Sequence, residues 1–195
     1  MPRPRTFDES DVLERAVDVF RERGFEGTSV PDLVERLGIC RQSLYNSFGD
    51  KRGLYLAAIE RYGKREVDSK LALLEGDGSP LENLRTVVRG WATFATTCPS
   101  DGCLTAAAIF ETRDDPEALA AVERQVERLE EGFRSSLVRA RDAGEIAEGA
   151  NVERIARALT STCYGIGVLS RLPGSGRRIG DSVAQMLESL DAVAT

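Results

Sequence analysis

The sequence predicts an all-α fold of about nine helices, and three observations support that reading. Apolar residues recur at spacings of three and four along nearly the whole chain, as one buried helical face requires. No segment shows the strict alternation of a half-buried strand. Glycine, proline and Ser/Asp clusters fall between the periodic stretches, where helices start and stop. The chain has 195 residues, 42% hydrophobic and 30% charged, enough for one or two domains with a real core.

The first helix is expected from about Ser10 to Arg23, where Val12, Ala16, Val19 and Phe20 keep helical spacing and Gly24 supplies the stop. After the loop GFEGTS, Ser29-Val30-Pro31-Asp32 resembles a capping box with proline in the first turn. Val30, Leu33 and Leu37 then form the stripe of a second helix that runs to Gly38. A third spans roughly Arg41 to Phe48, Gly49 ends it, and Asp50 caps a longer fourth helix reaching about Leu74. EGDGSP (75–80) is the clearest internal break. Beyond it the helices are longer and more apolar: Leu81 to Cys98, Leu104 to Thr112, Pro116 to Ala143, Val152 to Leu169, and a last one marked by Ile179 to Leu190. The expected organisation is an N-terminal unit of residues 1–52 and a larger bundle of 53–195, with the fourth helix joining them.

Composition removes several function classes. There is no histidine, so His-based triads and zinc hydrolase sites are excluded. No phosphate loop of the GxGxxG or GxxxxGK[ST] kind is present, no paired-carboxylate motif stands out, and neither a metal nor another cofactor is expected. No apolar run approaches the ~20 residues of a membrane span, and MPRPRTFDES has no apolar segment of the signal-peptide kind, so a cytoplasmic protein is expected. The four cysteines, Cys40, Cys98, Cys103 and Cys163, show no CxxC spacing.

The net charge is −6, but its distribution is uneven. From Arg36 to Arg65 there are seven bases and two acids, a local +5, which leaves −11 for the remainder. The third helix lies in this window. Stepping 100° per residue from Arg41 puts Leu44 at about 300° and Phe48 at about 340°, a narrow apolar edge. Gln42, Ser43, Asn46 and Ser47 occupy the opposite face, flanked by Arg41 and Tyr45. Such a helix packs poorly but suits a major groove about 12 Å wide, where amide and guanidinium groups address base edges. With the preceding helix and the turn Gly38-Ile39-Cys40 it forms a helix-turn-helix, the recognition helix being Arg41 to Ser47. Lys51 and Arg52 add positive charge beside a helix N-terminus, a favourable place for phosphate.

The stretch FRERGFEGTSVPDLVERLGICRQSLYNSFGDKRGLYLAAIERY resembles the N-terminal DNA-binding domain of the TetR family of transcriptional regulators, across about residues 8–63. The motifs that carry the resemblance are F-x-x-x-G-[FY]-x-x-T-[ST], D-[IL] in the second helix, G-[IV] in the turn, and L-Y-x-x-F-x-x-K. Gly102-Cys103-Leu104 resembles one subset of that family. The resemblance implies a homodimer paired through its last two helices, a small-molecule effector in the C-terminal bundle, and release of double-stranded operator DNA on binding. By position, it implies that Arg41, Gln42 and Ser43 face bases or nearby phosphates, Tyr45 and Lys51 phosphates, and Ser47 the groove. Thr28 and Ser29 would stand at the phosphate-facing start of the second helix. Cys40 departs from the Ser or Thr common there, and a thiol caps weakly.

The rest of the chain offers weaker signals. Trp91, Phe94, Cys103, Phe110, Phe133 and Tyr164 are the candidates for an apolar effector cavity. Cys98 and Cys103 flank a turn whose one charge is Asp101, which does nothing to activate a thiol, so structural thiols are expected there. A thiol sensor on the same scaffold is the alternative; an enzyme without histidine is a more remote one. Dimerisation is expected through Ile155, Leu159, Ile166, Val183, Met186 and Leu190 of the last two amphipathic stretches.

Overall fold

Local signals set the helix ends. In the computed structural model, Asp8 caps α1 (Glu9–Arg23) by accepting a hydrogen bond from Ser10 N, and Gly24 ends it at φ 72°. Ser29 and Asp32 form the expected capping box of α2 (Val30–Leu37), each side chain accepting from the other's backbone N–H. Gly38 closes α2 in the left-handed region, φ 66°, a conformation a side chain would oppose. α3 (Arg41–Phe48) follows after the three-residue turn Gly38-Ile39-Cys40, and its cap Cys40 makes no side-chain hydrogen bond to the helix N–H groups. Asp50 caps α4 (Lys51–Leu74) through Gly53 N at 2.7 Å.

The structure describes residues 7–97 and 102–195, with backbone alone at 94–97. The remaining helices are α5 (Pro80–Thr97), α6 (Leu104–Glu111), α7 (Pro116–Asp142), α8 (Val152–Leu169) and α9 (Gly176–Asp191). Nine helices and no strand occur among the described residues, apart from one isolated bridge between Ile146 and Ala194. No described helix is long and apolar enough to cross a membrane.

Two apolar cores organise the molecule. The first joins α1–α3 to the first half of α4, with Phe20, Leu33, Leu37, Leu44, Leu54 and Tyr62 buried, and takes Leu104, Ala108, Ala121 and Val122 from α6 and α7. The second begins on α4 at Val67 and gathers Leu84, Trp91, Phe133, Leu159, Ile166 and Leu190. The divide falls on α4 between Tyr62 and Val67, so one helix belongs to both. α4 and α7 cross closely: a Cβ at Gly63 would meet Gln125 Cγ at 2.6 Å, and one at Gly132 would run into Leu71 Cδ2.

One expectation is corrected here. Leu159, Ile166, Val183 and Leu190 are no more than 5% exposed, and Ile155 and Met186 pack beside them in the second core. Leu159, Ile166, Val183 and Leu190 fill the protomer's own interior rather than a surface for a second copy.

Candidate nucleic-acid interface

α3 is held by little of its own surface. Leu44 is its one fully buried residue; Phe48 is half-buried against the first core. The other side is open: Arg41, Gln42, Tyr45 and Asn46 are exposed, and Ser43 and Ser47 half-exposed. Gln42 Nε2 donates to Asn46 Oδ1 at 2.9 Å, aligning two amides one turn apart. The Arg41 guanidinium lies 6.0 Å from the Tyr45 ring centroid. Cys40 Sγ rests 3.2 Å from Ser43 Oγ, a contact that lowers the exposed thiol's pKa.

The positive window is largely neutralised in three dimensions. Arg36 pairs with Glu22 at 2.9 Å, Arg61 with Glu14 at 2.7 Å, and Arg65 with the same Glu14. Arg52 grips Asp115 at 2.6 and 2.8 Å and Glu117 at 2.8 Å, which holds the Asp115 carboxyl down to about 2. Arg41, Lys51 and Lys64 are the bases of the window without a carboxylate partner among the described residues. Arg41 alone of these lies on α3. A guanidinium of the kind that can pair with a base edge is thus left uncompensated at the exposed start of that helix.

Further along α4 a cavity of about 230 Å³ opens between the helices. Tyr62, Gly63, Glu66 and Lys70 of α4 form one wall, Val87 and Trp91 of α5 another, and Cys103, Thr105, Cys163 and Tyr164 the remainder. Cys103 sits tightly on α8, where a Cβ at Gly167 would come within 2.7 Å of its own Cβ. Burial pushes the Cys163 thiol up to about 12, against a smaller opposing pull from Lys70. A thiol so raised is protonated at neutral pH and a poor nucleophile. No group of three or more Cys, Asp or Glu is placed to hold a metal ion among the described residues.

α6 ties this cavity to the first core. At its start, Arg21 of α1 donates to Gly102 O at 3.2 and 3.1 Å, next to Cys103 in the wall, while Arg171 donates back to Arg21 O. At its end, the Glu111 carboxylate accepts from Phe25 N at 2.9 Å and from Tyr55 Oη at 2.7 Å.

Comparison with known proteins decides the family. Residues 12–58 match the model for bacterial regulatory proteins of the tetR family, and residues 80–186 match the tetracyclin repressor-like C-terminal domain. The chain belongs to the TetR family. It is 35% identical over 194 residues to the HTH-type transcriptional regulator YezE of Bacillus subtilis, covering 98% of this chain and 100% of that one. It is 27% identical over 190 residues to the HTH-type transcriptional repressor AcnR of Corynebacterium efficiens, covering 95% of this chain and 89% of that one. Among solved structures, a cysteine mutant of the TetR-family regulator CifR, complexed with 26-bp double-strand operator DNA, superposes with a TM-score of 0.83 at 29% identity. That alignment covers 96% of this chain and 99% of CifR. This chain is therefore a helix-turn-helix transcriptional regulator of the TetR family, a family of DNA-binding proteins and not of enzymes.

The TetR-type head brings Arg41, Gln42, Ser43, Tyr45, Asn46 and Ser47 together on one accessible face. Three other residues expected at the DNA are engaged within the chain. Thr28 is 1% exposed and its hydroxyl donates to Gly24 O at 2.6 Å, so it shapes the turn. Ser29 is exposed, but its hydroxyl is engaged with Asp32 in the cap. Lys51 Nζ donates to Phe25 O at 2.9 Å and Thr28 O at 3.0 Å and lies 4.0 Å from the Phe25 ring centroid, so it braces α4 against the α1–α2 turn. Of the cavity candidates, Trp91, Cys103 and Tyr164 form wall. Phe133 lies behind it, edge-on to Trp91 with ring centroids 6.1 Å apart. Phe110 is 72% exposed on the outer side of α6, away from the cavity. The Phe94 side chain and Cys98 lie outside the described residues. Tyr62, Glu66, Lys70 and Cys163 were missed because they read as ordinary positions along α4 and α8. Arg52, Asp115 and Glu111 were missed as connectors because their partners lie 56 to 86 residues away.

Proposed function

We propose that this TetR-family regulator is a homodimeric repressor that leaves an inverted-repeat operator when a small, mainly apolar effector occupies the cavity beside Trp91. α3 enters the major groove, with Arg41 and the Gln42–Asn46 pair addressing bases and Tyr45, Ser43 and Ser47 at the groove edge. The observation that carries the reading is the shared wall. α4 and α6 line the cavity and also hold the first core, through Arg21–Gly102 at one end of α6 and Glu111–Phe25–Tyr55 at the other. A ligand that shifts α6 or the middle of α4 re-aims α3 relative to its two-fold mate. Its leverage is the difference between its affinities for the two shapes, typically about 1–3 kcal/mol, and operator DNA must weaken ligand binding by the same factor.

An outward stripe of α8 supports the dimer. Ala158, Ser161, Gly165 and Val168 follow one another at spacings of three and four, and Leu172 continues the line. Val168 is 41% and Leu172 49% exposed, while the core residues of α8 point the opposite way. Small side chains permit close helix approach across a two-fold axis, and a symmetric dimer implies an inverted-repeat site. The test combines mobility shift on the chain's own upstream DNA with a compound screen read by Trp91 fluorescence. Compounds that quench Trp91 should release the DNA; if every bound compound leaves operator affinity unchanged, the effector reading fails.

A further inference from the structure

The cavity wall holds one polar group that no described residue satisfies. Trp91 is 4% exposed, and its indole Nε1 is buried without a hydrogen-bond partner among the described residues. A buried donor left unmade costs far more than a made one gains, so such a group in a binding cavity marks where an acceptor belongs. Phe133, edge-on behind the indole, offers only a ring.

The charges of the same wall restrict that acceptor. Among the described residues of the wall, Lys70 is the one cation and Glu66 the one acid. They already answer each other: Lys70 Nζ lies 3.3 Å from the Glu66 carboxylate and 3.1 Å from the Glu66 carbonyl. The wall is therefore neutral, and an ionised ligand, of either sign, would enter without an unpaired countercharge to replace its hydration. The remaining surface is chiefly apolar, from Val67, Val87, Leu129 and Ile166. At about 230 Å³ the space exceeds the ~150 Å³ of an apolar cavity that admits benzene, and falls below the ~300 Å³ where drug-sized sites begin.

We propose that the effector class is a small uncharged molecule with an apolar body and one carbonyl-type acceptor, whose oxygen takes the hydrogen bond of the Trp91 indole. This rests on the effector reading above, yet it is tested apart from it. Trp91 is the chain's one tryptophan, so the ¹⁵N-labelled protein gives a single indole N–H resonance. The probes are acetophenone and α-methylstyrene, which share size and shape and differ in an oxygen against a methylene. Full-length protein is titrated with each. Acetophenone should bind about tenfold or more tightly and move the indole proton downfield, as a buried donor gaining its acceptor requires. α-Methylstyrene should leave that proton near its free position. Trp91→Phe keeps an aromatic wall and should bring the two affinities together. Equal affinities in the native protein, acetophenone binding without a downfield shift, or no binding of either probe would overturn the proposal. Acetophenone binding with the shift but without operator release would uphold the acceptor assignment and remove the release mechanism instead.

Discussion

Lys51 stands at the N-terminus of α4, where an ammonium is well placed for phosphate, yet the chain itself takes two of its three N–H donors. Lys51→Ala should therefore act first on the fold. The loss of two bonds from a charged, half-buried donor is expected to lower unfolding stability by about 1–2 kcal/mol in urea titrations, with the salt slope of DNA binding changing by less than one unit. A full unit of slope with unchanged stability would return Lys51 to the phosphates. Arg41 is the contrasting case, exposed, on α3 and without a carboxylate partner. Arg41→Ala should cost about 1–3 kcal/mol on the operator and narrow the gap between operator and point-changed sites in fluorescence anisotropy. The sequence makes both residues visible as bases near a recognition helix. What it does not carry is where their donors go, since the acceptors of Lys51 are carbonyls 26 and 23 residues back along the chain. The same blindness applies to Thr28, whose type suits phosphate and whose hydroxyl is consumed by the carbonyl of Gly24.

At the scale of elements, helices whose ends are written in caps were legible. α2 and α3 lie where Ser29, Gly38 and Gly49 place them, because a capping box and a left-handed glycine act over a few residues. α6 was legible as a short helix but not as a strut, since its attachments to Arg21, Phe25 and Tyr55 cross 56 to 86 residues of chain. The Arg52–Asp115–Glu117 contact is of this second kind and joins the start of α4 to the start of α7. It makes a pH prediction. Arg52 holds the folded Asp115 pKa to about 2, against 3.8 for an ordinary aspartate. Between those values the unfolded chain binds more protons, so the contribution is fully present above about pH 4 and is lost as pH falls toward 2. Both side chains are partly solvated, so the effect is modest. Denaturant titrations from pH 2 to 5 should show a steeper pH dependence for the native chain than for Asp115→Asn. Superimposable slopes would mean that the clamp adds nothing to the folded state.

For the whole molecule, charge and symmetry act together. A chain of net charge −6 approaches a polyanion through one face, and most bases around that face are already paired with Glu14, Glu22, Asp115 and Glu117. One head therefore presents few free cations, and in the proposed dimer the affinity comes from two heads acting at once. That makes the pairing surface decisive, and here the apolar pattern misleads. The strongest periodic residues of α8 and α9 went to the protomer core, because a bundle must bury its largest apolar groups before it can pair. The surface proposed for a partner is the weaker stripe of Ala158, Ser161, Gly165 and Val168. Val168→Arg tests this cleanly, since the side chain is 41% exposed and the substitution should leave the protomer's thermal unfolding intact. A guanidinium buried against its own two-fold copy is strongly unfavourable, so sedimentation should report a monomer at micromolar concentration. Operator affinity should then fall by roughly 10²–10⁴, the advantage of joining two half-sites in one particle. A Val168→Arg protein that stays dimeric and binds its operator normally would place the two-fold axis on another face. The spacing between recognition helices, and with it the route from cavity to groove, would then have to be rebuilt from that face.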